Sequence, residues 1–280
     1  MKNGKLKSSL LKLYYVVYNI PWKFFSLYSL FLFRWDKCYA NNQSRLEALQ
    51  DVHKGKRVFV VGNGPSLKAS DLDTLKRNNE ITFSSNNIYK IFPFTEWRPN
   101  YYIQINDGIP NERLMGMMEG AEAEYKFFKP EGFLKTRKVS GNKIYLNVNG
   151  NRRYLEKPRF SEDASKVIYA VATSTYALIE LAVYMGSREI YIIGCDNQYS
   201  KTLTKDGKII NNLTSNHFEG SDENKQVTAE STWEMDVAYE YARKYADEHG
   251  IKIYNATRGG KLEAFERVDF DSLFPIEHQK

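Results

Sequence analysis

Cysteine is scarce in this chain. Only Cys38 and Cys195 occur among the 280 residues, and they lie far apart with no CxxC partner. A disulfide framework and a structural zinc site both need more cysteines at closer spacing. Their absence excludes both classes and favours a reducing, cytoplasmic compartment.

The first 34 residues have no acidic side chain and no apolar run long enough to span a membrane. They carry six basic side chains, and Asn19, Pro21 and Ser26 interrupt the aromatic and aliphatic residues between them. A spanning helix needs about 20 continuous apolar residues. We predict a basic, aromatic helical segment within residues 1–50 that binds an anionic membrane surface through residues 1–35. The alternative is a segment that packs on the protein's own core or on a second copy in a homo-oligomer.

The remaining residues, 51–280, are predicted to form one folded domain. Hydrophobic residues make up 42% and charged residues 26% of the chain, which is typical of a folded protein. The net charge of +6 suits phosphate-rich ligands or an anionic membrane. We therefore place the protein in the cytoplasm, peripheral on the inner face of the membrane, and expect no nucleic-acid partner.

Short apolar strands alternate with helices, which predicts an α/β fold: a Rossmann-like, mainly parallel sheet covered by helices on both faces. The predicted strands are Arg57–Val61, Glu80–Ser84, Tyr101–Asn106, Lys143–Leu146, Glu189–Gly194 and Lys252–Asn255. The predicted helices lie near Ser70–Lys76, Ser174–Met185 and Ser231–His249, with Trp233, Val237, Tyr241 and Tyr245 as core positions of the last. Asn41 to Lys56 is predicted to be a polar linker.

The first strand runs directly into a glycine-rich turn. Gly62, Asn63, Gly64, Pro65 and Ser66 follow the apolar run that ends at Val61. Glycines allow a ligand to approach the backbone closely, and Asn63 and Ser66 offer short hydrogen-bonding groups. The turn lacks the lysine of a Walker A loop and the third glycine of a dinucleotide fingerprint. We predict a nucleotide-binding loop of another kind; the alternative is a tight strand-to-helix turn without a ligand.

Polar residues also follow later strands or begin helices, and we expect them to converge near Asn63. They are Asn86, Asn106, Thr173, Ser174 and Asp196. Because ligands of open α/β sheets bind at the carboxyl ends of the strands, these positions are candidate ligand-binding residues. Turn and cap roles are the alternative for each of them.

The polar stretch from Gln198 to Val227 is long for a connector and is a candidate lid over the site. It contains Ser215-Asn216-His217-Phe218. Imidazole can accept a hydroxyl proton near neutral pH, so His217 is a candidate general base. A merely solvated histidine is the alternative.

In order along residues 57 to about 255, this pattern resembles the bacterial sialyltransferases of glycosyltransferase family 42. The residues that carry the resemblance are Val61 to Lys68, Asn86, Asn106, Thr173-Ser174, Glu189 to Asp196 and Ser215 to Phe218. The resemblance implies a Rossmann-like GT-A variant that transfers sialic acid from CMP-sialic acid with inversion, without a metal or other cofactor. It implies that residues 51–280 are a nucleotide-sugar-binding catalytic domain. It also implies that Asn63, Asn86, Asn106 and Ser174 contact the CMP-sugar and that His217 is the base.

Two positions depart from that family. It uses two tyrosines on the leaving phosphate, whereas here only Tyr199 is a plausible equivalent, and Val171 lies near the place of a family arginine on the donor-sugar side. The departure favours another CMP-activated sugar, such as a different nonulosonic acid or Kdo, carried to a glycan or glycolipid acceptor.

A second resemblance is to the family that includes archaeal 6-hydroxymethylpterin diphosphokinases. Gly64-Pro65-Ser66-Leu67, Gly194-Cys195-Asp196 and the Arg258-Gly259-Gly260-Lys261 turn near Phe265 carry it. It implies pyrophosphate transfer from ATP with magnesium. We interpret the two DxD patterns, Asp71-x-Asp73 and Asp269-x-Asp271, as helix-start or tail acids and rank this function second. A non-enzymatic membrane or scaffold protein is the third class.

Overall fold

The computed structural model describes Tyr28, Phe31 and residues 38–106, 111–150, 155–218 and 229–274. Of the predicted segment 1–35, only Tyr28 and Phe31 are described; both are helical and exposed. The rest of that segment lies outside the described residues. None of the described helices is long and apolar enough to cross a membrane.

Eight parallel strands form the central sheet, in the order β10-β9-β6-β1-β2-β3-β4-β5. The strands are β1 (Arg57–Val61), β2 (Ile81–Ser85), β3 (Tyr101–Gln104), β4 (Tyr125–Phe128), β5 (Asn142–Tyr145), β6 (Glu189–Ile193), β9 (Lys252–Asn255) and β10 (Glu266–Arg267). A separate antiparallel hairpin pairs β7 (Lys201–Leu203) with β8 (Ile209–Asn211). The predicted α/β fold with a mainly parallel sheet is confirmed.

Helices connect the strands. They are α1 (Cys38–Glu47), α2 (Ala69–Arg77), α3 (Asn111–Gly120), α4 (Phe133–Thr136), α5 (Ser174–Tyr184) and α6 (Thr232–Glu248). Short 3-10 helices span Asn86–Phe94, Pro130–Gly132 and Asp271–Leu273. The crossover segments place the carboxyl ends of the parallel strands along one edge of the sheet, where the predicted ligand groups lie.

The middle of the sheet is apolar on both faces, which explains its continuous hydrophobic runs. Val58 and Val60 of β1 pack in one core cluster, whereas Phe59 and Val61 pack in the other. All four side chains are fully buried. Strand side chains alternate between faces, so an uninterrupted apolar run is what a strand covered on both sides requires.

Helix α5 is buried along its whole length, and α6 covers it from one side. The buried side chains of α6 are Met235, Ala238, Tyr239, Ala242 and Ala246. The predicted stripe of Trp233, Val237, Tyr241 and Tyr245 is therefore displaced around the helix, because those four side chains are only partly buried. Small alanines let α6 approach the core closely, while its tyrosines cover the margin.

The predicted polar linker at Asn41–Lys56 is wrong, because α1 occupies its first half. The Asn42 side chain acts like one more strand residue along the outer edge of β5: its Nδ2 donates to Tyr145 O at 2.9 Å, and Tyr145 N donates to its Oδ1 at 2.6 Å. Arg45 Nη1 donates to Lys143 O at 2.7 Å. Polar side chains here shield a sheet edge that would otherwise expose unpaired backbone groups.

Candidate functional site

The glycine-rich turn packs directly against the chain that follows β6. Gly62 N donates to Ile193 O and Gly64 N donates to Gly194 O, both at 2.8 Å. A Cβ on Gly62 would lie 2.3 Å from Gly194 O, and one on Gly64 would lie 2.0 Å from the Asp196 carboxylate. The predicted reason for these glycines was access for a ligand; in the structure their immediate neighbour is the protein's own backbone.

Asp196 holds this turn in place. Its Oδ2 accepts hydrogen bonds from Ser66 Oγ at 2.8 Å and from Ser66 N at 3.3 Å, and its carbonyl accepts from Lys261 N at 2.6 Å. Burial raises the pKa of Asp196, and the hydrogen bonds from Ser66 oppose that rise. Of the two roles predicted for Asp196, ligand binding or a structural turn or cap, the second describes the bonds that its side chain makes here.

Substituting Gly64 with alanine is expected to destabilise the protein by about 2 kcal/mol, because the new methyl group would displace the Asp196 carboxylate or the backbone beside it. Urea denaturation measures the change in the free energy of unfolding. Gly132→Ala is the matched control, since its Cβ would meet no atom closer than 4.0 Å. Equal free energies of unfolding for the two variants would show that the turn accommodates the methyl group at Gly64 without a loss of stability.

Asn63 connects this turn to the next strand and to the segment that carries His217. Its Nδ2 donates to Ser85 O at 3.0 Å, and its carbonyl accepts from Phe218 N at 3.3 Å. Within the described residues, its Oδ1 is buried and has no hydrogen-bond partner. Phe218 is buried in the core on the same face of the sheet as Val61, and Ser215 Oγ donates to His217 O at 2.9 Å. The structure therefore brings the His217 segment next to the glycine-rich turn.

Asn86 and Asn106 meet, as their positions after β2 and β3 predict. Asn106 Nδ2 donates to Asn86 Oδ1 at 3.3 Å. Asn86 has a left-handed backbone with φ of 55°, and Tyr102 Oη donates to its carbonyl at 2.8 Å. Asparagine tolerates this conformation better than most residues, although it still costs energy. A row of polar groups thus runs from Phe218 through Asn63, Ser85 and Asn86 to Asn106.

A cleft of about 390 Å³ lies at the far end of this row, at the amino terminus of α5. Asn106, Thr173 and Ser174 line it, and Thr173 Oγ1 caps the helix by accepting from Thr175 N at 3.3 Å. Its other lining residues are Ile105, Lys129, Val148, Gly150, Leu155, Ala170, Val171, Ala172 and Glu234. The positive end of the α5 dipole and Lys129 favour an anion in this cleft, whereas Glu234 opposes one.

Glu180 holds one wall of the cleft, and nothing in the sequence pattern identifies it. From the buried helix α5, its Oε1 accepts from Ser161 N at 2.6 Å, and its Oε2 accepts from Tyr169 N at 2.9 Å and Ala170 N at 3.3 Å. Ala170 and Ala172 have positive φ angles of 33° and 57°. Such strained residues persist where surrounding bonds fix them, and Glu180 supplies one of those bonds at Ala170.

Tyr199 does not line the cleft in this structure. Its hydroxyl lies 3.6 Å from Met235 Sδ, among core residues, and burial raises its pKa well above the usual range. This placement differs from the predicted role on a leaving phosphate, which needs a hydroxyl at the cleft. Cys195 is likewise buried, and burial raises its pKa to about 12, so its thiol is not a nucleophile near neutral pH.

The acids of the two DxD patterns are engaged in ion pairs and hydrogen bonds. Arg258 binds Asp71 through Nε and Nη2, both at 3.0 Å, and Asp271 through Nη1 at 2.8 Å. Thr95 Oγ1 donates to Asp73. Among the described residues, no group of three or more His, Cys, Asp or Glu side chains is arranged to hold a metal ion. The interpretation of these acids as structural fits their contacts.

The fold is similar to one solved glycosyltransferase. The superposition on the MAf glycosyltransferase from Magnetospirillum magneticum AMB-1 has a TM-score of 0.53 and 16% sequence identity. It covers 82% of this chain but only 38% of that protein, so the chain spans well under half of its length. At this identity the similarity shows a shared fold.

No curated protein matches the chain. The family model described as 6-hydroxymethylpterin diphosphokinase MptE-like matches residues 36–202, which is more than half of the sequence. The second resemblance is confirmed by this match, while the resemblance to family 42 sialyltransferases stays a prediction. The chain belongs to the 6-hydroxymethylpterin diphosphokinase MptE-like family.

Proposed function

We propose that this protein is a glycosyltransferase that moves a sialic acid or related sugar from a CMP-activated donor to a hydroxyl of a glycan or glycolipid acceptor. The observation that carries the proposal is the hydrogen bond from Phe218 N to Asn63 O, which places the His217 segment beside the nucleotide-loop candidate. The similarity to a glycosyltransferase fold supports it. The acceptor is proposed to lie at the inner face of the membrane, where residues 1–35 would bind.

The donor would lie along the row of polar groups. Among the described residues nothing donates to the buried Asn63 Oδ1, and an exocyclic amino group or a ribose hydroxyl would supply a donor. The phosphate would lie toward the cleft at the amino terminus of α5, where backbone N–H groups and Lys129 stabilise negative charge. Val171 gives that cleft an apolar wall near the place of the family 42 arginine on the donor-sugar side, so the sugar would be held there by other contacts.

The reaction would be a direct displacement with inversion. His217 would take the proton from the acceptor hydroxyl while that oxygen forms a bond to the anomeric carbon. The bond from that carbon to the phosphate oxygen would break, and CMP would leave with the electron pair. The negative charge that develops on the phosphate is then stabilised by the helix dipole and by Lys129.

Pyrophosphate transfer from ATP is the second candidate, and the family match favours it. Magnesium-dependent phosphoryl transfer commonly uses carboxylates to hold the ion. At the glycine-rich turn the nearest carboxylate is Asp196, which Ser66 already binds, and the DxD acids accept hydrogen bonds from Arg258, Thr95 or the Ser272 backbone. This use of the carboxylates is why we rank glycosyl transfer first.

Calorimetric titration with CMP, UDP, GDP and ATP, each with and without magnesium, tests the proposal. We expect CMP to bind best and independently of magnesium, and Asn63→Ala to weaken that binding by about tenfold, the value of one good hydrogen bond. Asn78→Ala is the control, since the Asn78 side chain lies on the exposed end of α2. A preference for ATP with magnesium would overturn the proposal in favour of diphosphokinase activity.

A further inference from the structure

The β7–β8 hairpin lies between β6 and His217 along the chain, and several hydrogen bonds define its structure. Its base closes through Asn212, whose N donates to Ser200 O at 2.7 Å and whose Nδ2 donates to Tyr199 O at 2.9 Å. At its tip, Thr204 N and Lys208 O pair at 2.8 Å. Glu230 pairs with the outer side of β7, where Leu203 N donates to its carbonyl at 2.9 Å. The hairpin therefore has a defined orientation beside the His217 segment.

Aliphatic side chains are exposed on both faces of this hairpin. Ile209 and Ile210 are adjacent in β8, so they point to opposite faces, and they are 61% and 49% exposed. Leu213, just beyond the strand, is fully exposed. A hairpin that rests on a protein surface buries one face only. Exposed aliphatics on both faces instead suit an element that is surrounded by an apolar medium.

The charge of the hairpin is positive. Lys201, Lys205 and Lys208 are exposed, and Asp206 is the one acidic residue between Lys201 and Leu213. Asp206 pairs with Lys208 at 3.0 Å, which leaves an excess of two positive charges. Lysines that flank exposed aliphatics are the arrangement by which peripheral proteins bind anionic lipid surfaces.

We propose that the β7–β8 hairpin, with Leu213, inserts shallowly into an anionic lipid surface. Ile209, Ile210 and Leu213 would reach the boundary of the acyl chains, and the lysines would lie among the phosphates. The entrance to the His217 site would then face the membrane. This interaction goes beyond the proposed sugar transfer and needs no activity for its test, so either proposal can fail alone.

The test places a polarity-sensitive fluorophore on the full-length protein at Leu213→Cys, in a Cys38→Ser background; Cys195 is buried and does not react. The matched control carries the same label at Glu248→Cys. That residue lies at the opposite end of α6, about 25 Å from the end that begins beside Glu230, by the rise of a 17-residue helix. Both labelled proteins are mixed with vesicles of phosphatidylcholine with and without phosphatidylglycerol.

We expect a blue shift and quenching by nitroxide lipids at position 213 but not at position 248, and only with phosphatidylglycerol. Lys205→Gln and Lys208→Gln should each raise the lipid concentration for half-maximal signal by about fivefold, the contribution of one lysine near an anionic surface. Residues 1–35 could hold the protein on vesicles by themselves, so sedimentation with vesicles alone does not show whether the hairpin inserts. No signal at position 213, or equal signals at both positions, would overturn the proposal, and the hairpin would then be a surface for another protein.

Discussion

Replacing His217 with alanine is expected to lower the turnover of sugar transfer by about 10²- to 10⁴-fold, the usual contribution of a general base. The acceptor hydroxyl would then have to lose its proton to water. Donor binding and stability should change little, because the contact from this segment to Asn63 uses the backbone of Phe218 and not the imidazole. Single-turnover rates at saturating donor, together with CMP titration of the same variant, measure the two effects separately.

His249→Ala is the control for that substitution. His249 lies at the end of α6, where its ring stacks on Tyr245 at 3.9 Å, remote from the glycine-rich turn. We expect it to keep full activity. If the His217 variant were as active as the His249 variant, the base would have to be another group, and the backbone contact of Phe218 with Asn63 would serve only to hold this segment beside the turn.

Those parts of the fold that repeat a simple apolar pattern were predictable. The bounds of β1 and β9 agree with the structure residue for residue, and α5 and α6 agree within a residue or two. Strand β4 was not predicted, because its four residues include Lys126, a charged side chain that is buried beside Gly141. Helix α1 was missed for a similar reason: its polar residues bind the edge of β5, and that contact cannot be seen from the sequence around Asn42.

The candidate site also has residues whose positions could be predicted from the sequence and residues whose positions could not. Residues that directly follow strands, such as Asn86 and Asn106, could be predicted to meet because the carboxyl ends of parallel strands share one edge of the sheet. Lys129 follows the unpredicted strand β4, so its place in the cleft could not be inferred. The position of Tyr199 could not be inferred either, since the turn after β6, with a positive φ at Asn197, decides which side its ring faces.

The glycine-rich turn shows why a motif does not by itself name a ligand. Gly62 and Gly64 are required because Gly194 and Asp196 approach them, a packing need that a binding and a non-binding protein would share. The feature that points to a ligand is instead the buried Asn63 Oδ1, which lies beside the His217 segment and has no hydrogen-bond partner in the part of the chain that the structure describes. Sequence similarity in the turn is therefore compatible with more than one activity, and the turn resembles two families whose activities differ.

Glu180→Ala is expected to destabilise the protein by about 3 kcal/mol or more, the largest stability effect that we predict. The substitution leaves three backbone N–H groups without this acceptor, that of the buried Ser161 and those of the partly buried Tyr169 and Ala170, and it opens a cavity in the core. Glu162→Ala, at an exposed position in the same segment, should change the free energy of unfolding by less than about 0.5 kcal/mol. Equal losses in the two variants would show that the strained wall of the cleft does not depend on Glu180.

The stability contributed by Glu180 should also depend on pH. Burial raises its pKa to about 8, despite the three N–H groups that favour the carboxylate, whereas the unfolded chain has the usual value near 4.5. Between these two values the folded protein keeps a proton that the unfolded chain has lost, so the free energy of unfolding should fall as pH rises, by up to about 1.4 kcal/mol per pH unit.

Glu180→Gln cannot ionise and should lack this slope. Urea denaturation of the wild-type protein and of Glu180→Gln from pH 5 to pH 8 measures both free energies of unfolding. The difference between the two profiles is the contribution of Glu180, because the two proteins share all other titrating groups. Parallel profiles would mean that Glu180 is already ionised in the folded state, and the N–H groups would then outweigh burial.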